Sequence, residues 1–437
     1  LISLGCAKNL VDSEHMLSLM RDAGWEITED MSEADVGVVN TCGFIEAAKT
    51  EAIETILETA QYKQTGSMKG LVVTGCLVQR YADEMRSELP EIDVLCGTGS
   101  YDNIVDAANA ALKGQQAAYM ADMTAAALDG GRSRLTPSYT AYFKIAEGCS
   151  NTCAYCIIPK LRGRYRSREM ASLLEEARAL SDAGVKELIV IAQDITKYGM
   201  DLPEHKRLLP ELLRELCKMD FTWIRLHYLY PDQITDELID VIAEEPKIVK
   251  YLDIPLQHAD PDVLRRMARP AHAEKTLERI RKWREICPDL TIRSSFVVGF
   301  PGETEEEFQH LLDFIREAEL DRVGCFTYSP VDGAKANDFP DAVPDDVKED
   351  RRRRFMEVQA EVSAAKLKRR IGNVETVLID EPEDEDGVAV GRTAHEAPEV
   401  DGVVYVTVTR PVKPGEFVRA KIVRTEEHDL VALQVEE

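Results

Sequence analysis

Short apolar runs alternate with helical patterns through the first hundred residues of the chain. The clearest of these runs, LISLG, VGVVNT and GLVVTG, are separated by stretches long enough to hold a helix. Strands that alternate with helices form a parallel sheet flanked by helices. The pattern therefore predicts a parallel-sheet α/β domain over residues 1–110.

The alternation stops at residues 111–135, which are rich in Ala, Gly and polar residues and are predicted to form a linker. It resumes over residues 136–335, where helical stretches separate six strand candidates: YTAYFKIAEG, KELIVIAQD, WIRLHYLY, YLDIPLQH, IRSSFVVGF and RVGCFTYSP. Six such units predict a parallel (β/α) barrel, complete or partial, whose chemistry lies at the C-terminal ends of the strands. Five candidate residues fall at those ends: Cys149, Gln193, Asp194, Gln257 and His258.

The last hundred residues differ in pattern. Residues 336–370 form a charged helical connection, and its four successive arginines at 351–354 predict a solvated face rather than a binding site. Residues 371–437 contain five short strand candidates between Gly, Pro and acidic turns: VETVLID, GVAVGR, GVVYVTVTR, EFVRAKIVRT and DLVALQV. This pattern predicts a small five-stranded antiparallel β-barrel.

A chain of 437 residues with 44% hydrophobic residues can bury a sizeable core in two or three domains. No apolar run reaches the roughly 18 residues that span a bilayer, and the first residues, LISLGCAKN, lack a signal peptide. We therefore expect a cytoplasmic protein without a membrane partner. The chain opens without Met inside a predicted strand, which suggests that further residues precede Leu1.

The formal charge of -26 disfavours a protein whose main task is to grip nucleic acid. A basic protein is the more natural macromolecular partner.

Ten cysteines without a secretory signal favour metal ligands, redox groups or buried thiols over disulfides. The strongest motif is EGCSNTCAYCIIP, which places Cys149, Cys153 and Cys156 on one loop. A 4Fe-4S cluster takes four ligands, so three thiolates leave one iron open to the amino and carboxylate groups of S-adenosylmethionine (SAM). Electron transfer then cleaves SAM to a 5'-deoxyadenosyl radical. A structural zinc site is the alternative, but zinc needs a fourth Cys or His, and none follows in the loop.

A second trio, Cys6, Cys42 and Cys76, falls where three predicted strands give way to helices. In an open parallel sheet such strand ends line one edge, which is the usual ligand crevice. The placement predicts a second cluster with three protein ligands, although small buried thiols also occur as ordinary core residues. The remaining cysteines are assigned to packing: Cys96, Cys217, Cys287 and Cys325.

These motifs resemble those of a known family. LGCAKN, NTCGFIEAA and TGC, followed by CSNTCAYCIIP with LRGRYRSR and a small C-terminal barrel, resemble the radical SAM methylthiotransferases across essentially the whole chain. Within that family, YLDIPLQH, FVVGFPGETEEEF and GRTAHEAPEVDGVVYV resemble the RimO type, and the last domain is similar to a TRAM domain.

The resemblance implies two 4Fe-4S clusters, an auxiliary one on Cys6, Cys42 and Cys76 and a radical one on the CxxxCxxC loop. It implies conversion of an aspartate of small-subunit ribosomal protein twelve to 3-methylthioaspartate, with one SAM methylating the sulfur and another supplying the radical. The implied partners are that basic protein or the ribosome and a low-potential electron donor such as flavodoxin or ferredoxin. We expect a monomer.

Two further sets of residues are candidates for binding. The predicted SAM contacts lie at strand ends, where each residue has a structural alternative as a turn, a cap or a support: Gln193, Gln257, His258, Gly299 and Glu303. A basic loop follows the radical cysteines, and one of its arginines is a candidate for the target carboxylate unless the loop is merely solvated: Lys160, Arg162, Arg164, Arg166 and Arg168.

Two other functions remain open. One is a methylthiotransferase acting on adenosine in transfer RNA. Residues 371–437, however, contain six Lys plus Arg against sixteen Asp plus Glu, a net of -10 that includes the run DEPEDED, and such a domain repels phosphates. The other is a non-catalytic iron-sulfur scaffold, which forms no 5'-deoxyadenosine.

We also expect deletion of the acidic barrel to leave SAM cleavage largely intact.

Overall fold

The computed structural model describes residues 1–125, 129–270 and 273–436. The N-terminal sheet has five strands: β1 (Ile2–Ser3), β2 (Val36–Thr41), β3 (Gly70–Gly75), β4 (Val94–Cys96) and β5 (Ala117–Tyr119). They lie side by side in chain order and every pairing is parallel. Its helices are α1 (Ala7–Asp22), α2 (Glu46–Thr65), α3 (Cys76–Glu88) and α4 (Ile104–Leu112). Helices α1 and α4 cover one face and α2 and α3 the other, so the predicted α/β domain is confirmed.

Part of the predicted linker belongs to this sheet. Within residues 111–135, strand β5 pairs in parallel with β4, and Gly97 N donates to Tyr119 O (2.9 Å). The strand is an edge strand whose three residues are half-buried or exposed. Backbone hydrogen bonds hold it rather than an apolar face, which explains why the hydrophobic pattern did not indicate it.

The central domain contains strands β6 (Thr140–Lys144), β7 (Ala146–Glu147), β8 (Arg166–Ser167), β9 (Glu187–Ile191), β10 (Trp223–Leu226), β11 (Ile248–Asp253), β12 (Thr291–Val298) and β13 (Arg322–Thr327). Six of them form a parallel sheet in the order β13-β12-β11-β10-β9-β6, with β6 and β13 at its open edges. The six predicted strands are therefore all present, and the barrel is partial. The short strands β7 and β8 form a separate antiparallel hairpin that encloses the cysteine loop.

The helices of this domain are α5 (Ile158–Arg162), α6 (Met170–Asp182), α7 (Leu209–Cys217), α8 (Asp236–Glu244), α9 (Pro261–Arg266), α10 (Ala273–Ile286) and α11 (Glu305–Ala318). Apolar side chains of α6, α7, α8 and α11 pack against alternate residues of the sheet in the largest core of the molecule. The opposite side chains of the strands, such as Glu187, Arg225 and Arg293, project to the interior of the partial barrel. Cys287 and Cys325 lie in the core, Cys217 packs against it and Cys96 is buried, as predicted.

Helix α12 (Asp345–Lys368) connects this domain to the C-terminal barrel of β14 (Val374–Glu381), β15 (Val388–Arg392), β16 (Val404–Thr407), β17 (Phe417–Thr425) and β18 (Leu430–Gln434). The five strands close in the order β14-β15-β16-β18-β17. Four pairings are antiparallel, as predicted, and β16 with β18 is parallel. Within the described ranges, none of the helices combines the length and the apolar character that a membrane crossing requires.

The C-terminal barrel docks on the interior of the central sheet through buried charges. Arg225 Nε on β10 donates to Glu187 Oε1 on β9 (2.9 Å), and Arg392 of the C-terminal barrel lies 3.0 Å from the other oxygen of Glu187. The loop after β15 adds Glu396, which pairs with Arg322 (2.9 Å) on β13. The C-terminal barrel is therefore an integral part of the interior rather than a loosely tethered module.

We predict that acid releases this docked barrel. Burial raises the pKa of Glu187 and Glu396, but the adjacent arginines outweigh burial and hold both pKa values below the ordinary Glu value of about 4.3. The two carboxylates therefore stabilise docking above that pH, and the contribution is lost as the pH falls from there through the folded pKa values. Trp223 packs edge-on against Phe417 across this interface, with ring centroids 4.9 Å apart, and its fluorescence reports docking.

The expected fluorescence change lies below about pH 4 and is missing from a Trp223→Phe control. A change between pH 5 and 7 would contradict this account of the interface.

Candidate functional site

The structure brings the N-terminal cysteines to one edge of the first sheet. Cys6 precedes α1, Cys42 follows β2 and Cys76 begins α3. The three cysteines lie side by side because β1, β2 and β3 are adjacent strands. Two glycines allow the close approach. A Cβ on Gly5 (φ +88°) would lie 2.6 Å from Cys42 Cβ, and one on Gly75 (φ +100°) would lie 2.4 Å from Asn40 Oδ1. Only glycine fits these positions.

The three thiols are close enough to influence one another. Burial, together with the neighbouring Cys6 and Cys42, raises the pKa of Cys76 to about 12 against the lowering effect of Arg162. Burial also raises the pKa of Cys42. For Cys6 the effect of burial is outweighed by Lys8, Arg162 and backbone N–H groups, so its pKa is below the usual value. Such convergent thiols suit a cluster, which binds them as thiolates.

The radical-type trio lies on the loop between β7 and α5. Backbone N–H groups already point at two of its sulfurs, since Asn151 N lies 3.4 Å from Cys149 Sγ and Ile158 N lies 3.4 Å from Cys156 Sγ. Arg269 Nη1 approaches Cys153 Sγ at 3.9 Å. Donors of this kind tune cluster sulfurs in iron-sulfur proteins. An open cavity of about 950 Å³ lies against all three thiols.

The spacing of the thiols disfavours a single zinc ion. Four thiolates about 2.3 Å from a tetrahedral zinc lie about 3.8 Å from one another. Among the described residues, three Cys, His, Asp or Glu ligand atoms come within 4.8 Å of one another only at Asp260, Asp262 and Glu307, so neither cysteine trio is that compact. A 4Fe-4S cluster is larger than one ion and accommodates the wider spacing.

The two trios are neighbours in space. Ile157, which follows Cys156 in the chain, packs in one apolar cluster with Cys76, together with Leu161 of α5 and Phe44. The N-terminal domain therefore places its cysteine edge directly over the loop that carries the other trio.

A buried network of charges joins the two domains beside this contact. Arg162 donates to Glu147 Oε1 and Oε2 (3.1 Å each) and to Asp12 Oδ2 (2.9 Å), and it also bonds Asn9. Lys144 bonds Glu147 (2.8 Å) and Asp12. Burial raises the pKa of Glu147, but Arg162 and Lys144 outweigh it and hold the pKa far below its usual range.

Asn9 and Glu147 connect this network to the cysteine loops. The Asn9 amide donates to Leu4 O (3.0 Å) and Thr41 O (2.9 Å), the residues beside the Cys6 and Cys42 loops. Glu147 accepts from Gly148 N (3.0 Å), which adjoins Cys149. The network thus sets the position of both cysteine loops relative to one another.

Of the predicted SAM contacts, Gln193 bonds to this network and Gln257 pairs with strand β12. Gln193 Nε2 donates to Glu147 Oε1 (2.9 Å), while Gln193 Oε1 is buried and has no partner among the described residues. Gln257 is half-buried at φ +73°, and its backbone bridges to Ser295 and Val297 on β12. A buried carbonyl without a donor favours a ligand that brings one.

The other three predicted contacts hold a turn. Glu303 Oε2 accepts from Gly299 N (2.8 Å) and its Oε1 accepts from Arg351 Nη1 (2.9 Å). Asp260 N donates to His258 Nδ1 (3.0 Å), and His258 Nε2 lies 3.5 Å from Glu303 Oε2. These contacts fit the structural alternative for His258, Gly299 and Glu303. They also correct the prediction for the first arginine of the 351–354 run, because Arg351 is buried and supports Glu303.

The basic loop is mostly committed to the protein itself. Arg162 and Arg168 are buried in ion pairs, the latter with Asp129 (2.7 Å) and Glu176 (2.6 Å). Arg166 donates to backbone carbonyls of the 123–124 turn, and Lys160 donates to Gly333 O (2.7 Å). Arg164 is exposed, and no hydrogen bond or ion pair joins it to another described residue. The loop therefore stabilises the fold more than it offers free cations.

Sequence reasoning missed Arg269, Tyr230 and Lys8. The Arg269 guanidinium stacks 4.2 Å from the Tyr230 ring centroid beside Cys153. Lys8 Nζ lies 3.0 Å above the centroid of Tyr228. These contacts join residues far apart in the chain, and no local pattern marks them. The only available signal was the position of Lys8 two residues after Cys6.

Family comparisons match all three parts of the chain. The radical SAM superfamily matches residues 143–315, uncharacterized protein family UPF0004 matches residues 1–97, and the TRAM domain matches residues 371–435. Among solved structures, the radical SAM methyltransferase TsrM from Kitasatospora setae is similar with a TM-score of 0.56 at 17% identity, over 74% of this chain and 70% of TsrM. That likeness shows the fold.

Curated relatives match over the whole length. Proteins named ribosomal protein uS12 methylthiotransferase RimO from Desulforamulus reducens and Lachnoclostridium phytofermentans are each 48% identical, over 99% and 98% of this chain and 98% of each relative. The protein of that name from Vibrio cholerae is 49% identical over 98% of this chain and 90% of its own length. The chain therefore belongs to the RimO family of radical SAM methylthiotransferases.

Proposed function

We propose that this protein converts an aspartate of ribosomal protein uS12, small-subunit protein twelve, to 3-methylthioaspartate. The observation that carries the proposal is the packing of Cys76 against Ile157, the residue after Cys156, in a chain 48% identical to RimO proteins over its length. A β-carbon hydrogen of aspartate has no useful acidity, so a general base cannot remove it to make way for sulfur. A radical site beside a sulfur site solves this problem by proximity.

The residues divide the work between the two sites. We propose Cys149, Cys153 and Cys156 as ligands of the radical cluster, and Cys6, Cys42 and Cys76 as ligands of an auxiliary cluster. When bound, the two 4Fe-4S clusters and SAM would supply the electron, the 5'-deoxyadenosyl radical and the sulfur site. Gln193 offers a buried acceptor to the amino group of SAM. The Arg162 network holds the N-terminal and central domains together, which keeps the two sites close to each other.

The proposed partners follow from charge and chemistry. The C-terminal barrel carries a net -10, which favours a basic ribosomal protein over RNA phosphates. A low-potential donor such as flavodoxin or ferredoxin would supply the electrons. Within the acidic run, Glu383 accepts from Val412 N (3.0 Å) and Asp384 from Val388 N (2.9 Å), so these two hold the turn. Three exposed acids remain for a partner: Glu381, Glu385 and Asp386.

The test is mass spectrometry of uS12 after incubation with the reconstituted enzyme, SAM and a reductant. We expect one methylthio group on one aspartate and 5'-deoxyadenosine in the same mixture. A transfer RNA anticodon stem-loop in a parallel reaction should stay unmodified. Methylthioadenosine in that RNA would overturn the substrate assignment, and an absence of 5'-deoxyadenosine would favour a scaffold.

A second arm of the same test uses charge. The triple change Glu381→Gln, Glu385→Gln and Asp386→Asn should slow association with uS12 several-fold at low salt and less at high salt, because exposed charges steer encounter and are screened. The matched control neutralises three exposed acids of α2: Glu51, Glu54 and Glu58. An equal effect of both triples would show that only net charge matters.

A further inference from the structure

Lys8 is a buried cation that has no anionic partner in the part of the chain that the structure describes. It is the second residue of α1, two positions after Cys6, and its exposed fraction is 6%. Among the described residues, no carboxylate oxygen lies within 4.0 Å of Lys8 Nζ, and the Tyr228 ring is its contact. The other buried cations of the site, Lys144 and Arg162, each have two carboxylate partners. Burying an ammonium without an anion is unfavourable, so the position suits a ligand that supplies one.

Contacts lead from the Lys8 ammonium towards both cysteine trios. On one side is Cys6. On the other is Tyr228, at the C-terminal end of β10, whose carbonyl accepts from Ile195 N (3.1 Å). Two residues further on, Tyr230 stacks on Arg269, which approaches Cys153. The contacts therefore run from Cys6 through Lys8 and Tyr228 towards the radical loop.

Tyr228 is held in an unusual conformation. Its φ is +65°, and its backbone N donates to Asp253 Oδ2 (3.2 Å). A bulky residue in the left-handed region is strained, and such strain concentrates at functional sites. Here it keeps the aromatic ring beneath the Lys8 ammonium.

We infer that Lys8 binds the side-chain carboxylate of the target aspartate, an inference that rests on the proposed function. Hydrogen removal and sulfur addition both occur at the β-carbon, which is bonded directly to the carboxylate carbon. The anchor for that carboxylate must therefore lie between the radical site and the sulfur site, and the contacts of Lys8 lead towards both. A desolvated ammonium binds a carboxylate strongly and discriminates against a neutral amide. Lys8 is in this role a substrate-positioning residue.

The carboxylate of SAM is a second anion that would pair with Lys8. The experiment distinguishes it from the carboxylate of the target aspartate. Binding to the reconstituted enzyme is measured for uS12 and for uS12 with Asn at the target position. The wild-type enzyme should prefer the Asp form by about 10- to 100-fold, the range of a charged hydrogen bond. Lys8→Met should lose that preference while binding the Asn form as before. Lys8→Arg should restore part of it.

The control is Lys113→Met, which removes an exposed positive charge from the same domain and should keep the full preference. Iron content shows whether Lys8→Met still assembles its clusters, and the KM for SAM in cleavage without uS12 should stay unchanged. A raised KM for SAM with the Asp preference intact would assign Lys8 to SAM and overturn the inference. Failure of the wild-type enzyme to modify uS12 would instead overturn the proposed function, and the inference with it.

Discussion

Replacing Cys149, Cys153 and Cys156 together with Ala is expected to abolish reductive SAM cleavage and all methylthiolation. The physical reason is that these three thiolates would hold the cluster that supplies the electron for SAM cleavage. Replacing Cys6, Cys42 and Cys76 should leave SAM cleavage and end methylthiolation, because only the sulfur site is lost. Iron content should fall from about eight per chain to about four in either variant. Quantified iron and 5'-deoxyadenosine check both statements.

The matched control replaces the three core cysteines Cys217, Cys287 and Cys325, which lie in or against the core of the central domain. It should retain about eight irons per chain. Full iron retention after loss of Cys6, Cys42 and Cys76 would rule out the auxiliary cluster. Methylthiolated product from that variant would show that sulfur reaches the aspartate by another route.

Arg162→Met is expected to destabilise the protein by about 3–5 kcal/mol, the usual effect of leaving a buried ion pair with one partner. Glu147 would lose two hydrogen bonds to the guanidinium and Asp12 one. Asn9, which Arg162 also bonds, holds the backbone beside the Cys6 and Cys42 loops. We therefore expect a lower unfolding midpoint and a loss of iron from the N-terminal site.

Arg164→Met is the matched control in the same loop, because Arg164 is exposed and unpaired among the described residues. Its effect should stay within about 0.5 kcal/mol. Equal midpoints for the two variants would mean that the buried network contributes little to the docking of the two domains.

The local sequence determined the elements and the identity of the chemistry. Short apolar runs marked β1, β2 and β3 and the six strands of the central sheet, because the burial of a strand depends on its own side chains. The placement of Cys6, Cys42 and Cys76 at three successive strand ends was enough to predict that they meet, since parallel sheets bring such ends to one edge. The CxxxCxxC loop predicted its own site for a simpler reason, because its three cysteines are close in the chain.

Strand β5 and the docking of the C-terminal barrel were decided by tertiary structure. The strand is held by backbone hydrogen bonds at a sheet edge, which leave no apolar pattern. We expected deletion of residues 371–437 to spare SAM cleavage. The structure indicates that the deletion would expose the buried Arg225 and Glu187 of the central sheet, so the effect should extend to its fold.

The roles of the charged residues also required the tertiary structure. Arg162 and Lys8 are both basic residues close to cysteines in the sequence. Arg162 is paired with carboxylates 15 and 150 residues away in the chain, whereas Lys8 has no carboxylate partner among the described residues. Glu303 was a candidate either for contacting SAM or for a structural role, and only the structure shows that its oxygens accept from Gly299 N and Arg351. A charge acquires its role from the partners that folding brings to it, because electrostatic energy depends on distance and burial rather than on position in the chain.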